Sequence, residues 1–103
     1  MLPEPTLNSY LVLSAVLFGI GTAGVFLRRN LITILLSIEV MLNAVNLTFV
    51  TFALALNDVE GQVIVFFVLV VAAAEVVIGL GIIVALLRRR PNATADDVAE
   101  LKG

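Results

Sequence analysis

At 103 residues, 61% of them hydrophobic and 14% charged, with a mean hydropathy of +1.16, the chain is too apolar for a water-soluble domain, which is about 45–50% apolar and about 25% charged. Six basic residues against eight acidic ones give a net charge of −2 and form no basic stripe for nucleic acid. Cysteine and histidine are both absent, which excludes disulfides, thiolate or imidazole metal sites and Cys or Ser-His nucleophiles, and leaves carboxylates, guanidiniums, amides and hydroxyls as the available chemistry.

Three long apolar blocks follow one another. Pro5 to Leu27 carries no charge; Leu31 to Leu56 carries a single one, Glu39; Val63 to Leu87 carries a single one, Glu75. About 20 apolar residues in a helix cross the ~30 Å core of a bilayer. Each block is long enough, so the sequence predicts an all-α membrane protein. A single membrane domain over 1–103 would have spans near 7–27, 31–56 and 63–87. The first block is not expected to be a signal peptide, because Glu4 precedes it and Arg28-Arg29 follow it. The linkers Arg28-Arg29-Asn30 and Asn57 to Gln62 are short, which makes sequential helices antiparallel neighbours. Pro91 ends the last helix, and the polar stretch 91–103 reads as a solvated tail, with a short interfacial turn over Asp96 to Glu100 as the alternative.

The charges sort by side. Arg28, Arg29, Arg88, Arg89, Arg90 and Lys102 all fall on the side of the first linker and the C-terminus, whereas the N-terminus and the second linker carry Glu4, Asp58 and Glu60. The positive-inside rule then predicts the N-terminus outside and the C-terminus in the cytoplasm.

In the first block, Gly19-Ile20-Gly21-Thr22-Ala23-Gly24 matches the dinucleotide pattern G-x-G-x-x-G, but that pattern needs a preceding strand and a helix that opens at it. Ala15, Gly19 and Ala23 recur every four residues, a small-residue stripe expected to pack against a neighbouring helix.

Glu39 and Glu75 are the informative residues. A charge at the bilayer centre costs at least about 2.5–3.5 kcal/mol, so carboxylates there mark ion or proton pathways, and a desolvated carboxyl can both take and release a proton near working pH. Glu39, Asn43 and Asn46, spaced i, i+4, i+7, share one helix face, a polar stripe that must face protein or water rather than lipid. In the third block Ala72, Glu75 and Gly79 make a small-residue face that another helix or a water chain can approach. Counted from the arginine-bearing ends of their spans, Glu39 lies about 12 Å and Glu75 about 18 Å deep, which predicts staggered carboxyls on adjacent helices. Arg28 and Arg29 are topology signals first and candidate ion-pair partners for a carboxylate of a partner subunit second.

Arg28-Arg29-Asn30-Leu31, Glu39-Val40-Met41-Leu42-Asn43-Ala44, Glu60-Gly61-Gln62-Val63 and Ala72-Ala73-Ala74-Glu75-Val76-Val77-Ile78-Gly79-Leu80 together resemble the subunit K family of proton-pumping NADH:quinone oxidoreductase, respiratory complex I, across nearly the whole chain. The resemblance implies a non-redox, multi-pass subunit of the complex's membrane arm in a bacterial inner (plasma) membrane. It implies that the glutamates at 39 and 75 take part in proton translocation, the former more critically, and that the basic loop matches Arg28 and Arg29. It also implies that NADH, flavin, iron–sulfur clusters and quinone are bound by partner subunits. The competing readings are the small subunit of a multi-subunit cation/proton antiporter, which is less similar around the glutamates, a four-span multidrug exporter and a holin-like pore. Three helices enclose no interior, so an obligate hetero-oligomer is expected.

Overall fold

The structure is a computed structural model that describes residues 6–96. Three helices account for most of it: α1, Leu7–Leu27; α2, Leu31–Ala55; and α3, Val59–Arg89. At about 1.5 Å per residue, their lengths of 21, 25 and 31 residues correspond to roughly 31, 37 and 46 Å, and each is long and apolar enough to cross a membrane.

Each helix begins on a polar cap that satisfies N–H groups the helix itself cannot. Thr6 Oγ1 accepts from Ser9 N at 3.3 Å, Asn30 Oδ1 accepts from Ile32 N at 2.9 Å and Thr33 N at 3.3 Å, and Asp58 Oδ1 accepts from Gly61 N at 3.2 Å. The last cap changes the expected second linker. With Asp58 capping and Glu60 in the first turn, both favourable at the positive end of a helix dipole, Val59 to Gln62 are helical rather than loop. The turn before it is closed by Asn57 in the left-handed region, φ 55°. Asp58 N donates to Ala53 O at 2.8 Å and Asn57 N to Leu54 O at 3.1 Å, so final carbonyls of α2 are satisfied within the turn.

Inside the spans four hydroxyls find partners on their own helices. Ser14 donates to Tyr10 O, Thr22 to Phe18 O, Thr48 to Ala44 O and Thr51 to Leu47 O, at 2.6–3.1 Å. These bonds offset the cost of placing hydroxyls in an apolar medium.

The helix α2 is central: α1 packs on one side of it and α3 on the other, while α1 and α3 scarcely meet. Its α1 side is a run of Ser37, Met41, Ala44, Thr48 and Thr51, with Ser37, Ala44 and Thr51 buried. The opposing glycines are not those of the expected stripe. Ala15 and Ala23 are exposed and a Cβ on Gly19 would meet nothing within 4 Å. Gly21 and Gly24 make the contact: a Cβ on Gly21 would lie 2.5 Å from Met41 Cγ and 2.7 Å from Ser37 O, and one on Gly24 would strike Ser37 Oγ. The seam therefore follows the 3–4 spacing of Ser14, Leu17, Gly21 and Gly24 instead of a strict repeat of four.

The chain after α3 is not a free tail. It turns at Pro91 and comes back to the first linker, where Ala95 N donates to Arg29 O at 3.2 Å, Asn30 and Thr94 form an isolated antiparallel bridge, and Arg29 Nη1 lies 3.0 Å from Asp96 Oδ2. Both side chains of that ion pair are largely exposed, so the backbone contacts carry the return and the pair adds little. All but the first residue of the interfacial turn expected over Asp96 to Glu100 lies outside the described residues.

Gly21→Ala is expected to destabilise the α1–α2 pair by about 1–3 kcal/mol through overpacking against backbone, and Gly19→Ala to leave it unchanged. Thermal unfolding of the purified assembly with each variant checks this; equal stability of the two variants would contradict the seam described.

Candidate functional site

Two contacts on α3 fix how it lies along α2. A Cβ on Gly61 would lie 3.2 Å from Ala53 Cβ, and one on Gly79 would lie 3.2 Å from Leu35 Cδ1. Gly61 and Gly79 are separated by five full turns of about 3.6 residues each, so they occupy one face of α3. Counting four residues inward from the Leu35–Gly79 pair along each antiparallel helix reaches Glu39 and Glu75. The backbone positions of the two glutamates are therefore level, not staggered. The staggered depths assumed that both helices end flush at the arginine-bearing side. In fact the first residue of α2, Leu31, is level with Ile83, and the stretch from Val84 to Arg89 carries α3 about 9 Å further, alongside the first linker and the returning segment.

The level pair does not converge on one side of the α2–α3 seam. Glu39 is half-buried and lies on the face of Asn43 and Val50, which together with Val65 and Leu69 line a crevice on one side. Glu75 is exposed and lies on the face of Ile64 and Val68, which line the opposite groove with Phe49 and Asp58. Asn46 lies about two turns beyond Glu39 on α2. It is buried, at 6% exposure, and borders both the crevice and the groove. Asn43 is exposed at the crevice rim. Among the described residues no intrachain hydrogen bond reaches the side chains of Glu39, Asn43, Asn46 or Glu75. The shared face of Glu39, Asn43 and Asn46 is as the spacing implies, but the amides do not bond the carboxylate.

Ala72 is buried and Gly79 half-buried against α2, so their face is the close-packed one, with Glu75 at its edge. Arg28 and Arg29 are exposed at the end where α3 overshoots, far from both glutamates along the helix axis. Gly61 forms part of the site without belonging to any polar or acidic motif; the signal for it in the sequence is its five-turn spacing from Gly79. The residues do not fit a dinucleotide: Gly19, Gly21 and Gly24 lie within one unbroken helix, two of them pressed against α2. Among the described residues no three acidic side chains gather to hold a metal ion.

Residues 9–103 match the model of the family described as NADH-ubiquinone/plastoquinone oxidoreductase chain 4L. The chain belongs to this family, the subunit K family of NADH-quinone oxidoreductase. It is 51% identical to NADH-quinone oxidoreductase subunit K 2 of Geotalea uraniireducens (strain Rf4) over 96 residues, covering 93% of this chain and 96% of the relative. It is 50% identical, with the same coverage, to NADH-quinone oxidoreductase subunit K 1 of Geotalea daltonii. The matched span of the subunit K family takes in both glutamates, both asparagines, the glycine contacts and the arginine-bearing end.

The register can be checked by disulfide trapping, since the chain has no cysteine to interfere. The Cβ separation at Ala53 and Gly61 is close to that of a disulfide. Ala53→Cys with Gly61→Cys is expected to cross-link under mild oxidation, and Ala53→Cys with Val65→Cys, one turn further along α3, is not.

Proposed function

We propose that this chain is a membrane-arm subunit of proton-translocating NADH:quinone oxidoreductase, in which Glu39 and Glu75 carry protons across the α2–α3 seam. The observation that supports this reading best is their common level, with the buried Asn46 beyond Glu39 on the same face. A glutamate in a membrane span is costly to keep, and interhelical hydrogen bonds in membranes contribute only about 0.6 kcal/mol on average, so a purely structural role is a poor match for two of them.

The side chain of each residue has a defined part. Glu39, half-buried beside the crevice, takes up and releases a proton. Asn43 and Asn46 present amides that donate to a carboxylate or water and accept from a carboxylic acid or water, so they suit either protonation state. Glu75, on the other side of the seam, is the second acceptor. Water bridges the two, because they share a level but face opposite sides. Gly79 and Gly61 hold the helices close enough for that bridge. Arg28 and Arg29 set the arginine-bearing end in the cytoplasm, with the N-terminus outside, in a bacterial inner membrane.

The chain works only within its complex. Much of its apolar surface is open, including Phe26 at 83% and Val77 at 69% exposure, and the polar face of α2 lacks cover on one side. Moving one proton against ~100 mV takes about 2.3 kcal/mol. The partner subunits, which hold NADH, flavin, iron–sulfur clusters and quinone, supply that energy by changing the field or the packing around the glutamates.

Glu39→Gln in inside-out membrane vesicles tests the reading. With assembly verified on a native gel, NADH-driven quinone reduction and proton uptake are expected to fall together by about tenfold or more, as loss of a proton-transfer group does. Glu75→Gln is expected to lower both less severely. Normal rates in assembled Glu39→Gln complex would reject the assignment.

A further inference from the structure

Asn46 is the most enclosed polar side chain of the α2–α3 seam, at 6% exposure, and among the described residues no intrachain hydrogen bond reaches its amide. Neither amide atom is sealed off, however. The openings lead to both sides of the seam: Asn46 and Val65 border the crevice that holds Asn43 as well as the groove that ends at Asp58.

Towards either end the seam is shut. Near the glutamates Ala72 is buried and Gly79 takes Leu35 against it, and near the second linker Gly61 takes Ala53. Asn46 lies between these contacts along α2, where the cavities on the two sides share a wall of one amide and one valine.

The small exposure selects the occupant. Such an opening admits a water molecule but not a side chain from another helix. A partner laid along either flank meets exposed rim residues first, Asn43 on one side and Phe49 and Ile64 on the other. A purely apolar cavity stays dry, whereas water binds otherwise unsatisfied buried polar groups through about three hydrogen bonds. The amides of Asn43 and Asn46 both line the crevice and offer donors and acceptors. The crevice measures about 250 Å³ and the groove about 340 Å³, against about 30 Å³ for each water in the liquid, so room is not limiting.

We infer that Asn46 holds the water through which the two sides of the α2–α3 seam communicate, between the crevice and the groove at Val65. Such a water site stands without the proposed relay; its use as the link between Glu39 and Glu75 rests on that reading. The crossing then lies seven residues beyond Glu39, about 10 Å along α2 towards Asp58, and not straight between the glutamates. Asn46 acts as a positioning residue that orients water and exchanges no proton itself.

The test treats the assembled complex carrying Asn46→Cys with a small water-soluble methanethiosulfonate. Labelling of this chain, which has no cysteine of its own, is followed by mass spectrometry. Thiols react as thiolates, which apolar burial suppresses, so Asn46→Cys and Val65→Cys are expected to label about tenfold or more faster than Ala72→Cys, buried in the same seam. The Val65→Cys arm keeps the amide intact. In vesicles, Asn46→Leu is expected to lower NADH-driven proton uptake several-fold, and Asn46→Ser, whose hydroxyl can still hold water, to recover much of it. Val65→Phe, which narrows the same point from α3, is expected to lower uptake likewise and serves where Asn46→Leu fails to assemble. Labelling at 46 and 65 as slow as at 72 would overturn the water site. Fast labelling with normal uptake in the assembled Asn46→Leu or Val65→Phe complex would overturn its use as the crossing. Fast labelling with normal uptake in Glu39→Gln would reject the relay and leave the water site in place.

Discussion

Gly61 and Gly79 bring α3 against α2 at two points five turns apart, where Ala53 and Leu35 press on positions that have no side chain. In a bilayer there is no hydrophobic drive between helices, so close approach through small residues supplies packing energy that larger ones cannot. Two such contacts on one face also leave the pair no freedom to slide. A slip of one turn would place a Cβ-bearing neighbour against Ala53 and against Leu35 together. The level relation of Glu39 and Glu75 follows from this constraint. So does the overshoot of α3, which carries Arg88 and Arg89 beyond the start of α2 by about 9 Å at the helix end.

Among the described residues, the same arrangement leaves Glu39, Asn43 and Asn46 of α2 without an intrachain hydrogen bond. Its α1 side is closed by hydroxyls that bond to their own helix, at Thr48 and Thr51, while its α3 side holds Glu39 and Asn46 with no intrachain hydrogen bond. A polar group held in an apolar medium without a partner costs about 1–3 kcal/mol. An isolated three-helix unit would bear that cost with nothing to offset it. In the reading proposed here the complex offsets it with water and with neighbouring subunits, and the same open polar face that makes the chain a poor monomer makes it a usable proton relay.

The three spans, their order and the shared face of Glu39, Asn43 and Asn46 were legible from composition and from helical spacing, because a span needs only length and hydropathy and a face needs only the helical period. Depth was not legible. It depends on where helices end relative to each other, and α3 begins at Val59 and runs to Arg89 through residues that read as linker or tail. The α1–α2 seam was not legible for a related reason. In a uniformly apolar helix no hydropathy gradient marks the inner face, and Ala15-Gly19-Ala23 and Gly21-Gly24 are both plausible small-residue tracks; only the position of Ser37 and Met41 decides between them. The return of the chain to Arg29 and Asn30 rests on backbone hydrogen bonds, which leave no residue pattern.

The central claim is that an ionisable group is needed on this face of α2 at this seam, and relocating the acid tests it most directly. Glu39→Gln would be combined either with Asn43→Glu, one turn along the same face and at the crevice rim, or with Ile38→Glu, which is exposed and lies about 100° around the helix from Glu39. NADH-driven proton uptake would be measured in vesicles holding equal amounts of assembled complex. The account predicts substantial recovery with the acid at 43 and none with the acid at 38. Equal recovery at both positions, or recovery at 38 alone, would contradict it.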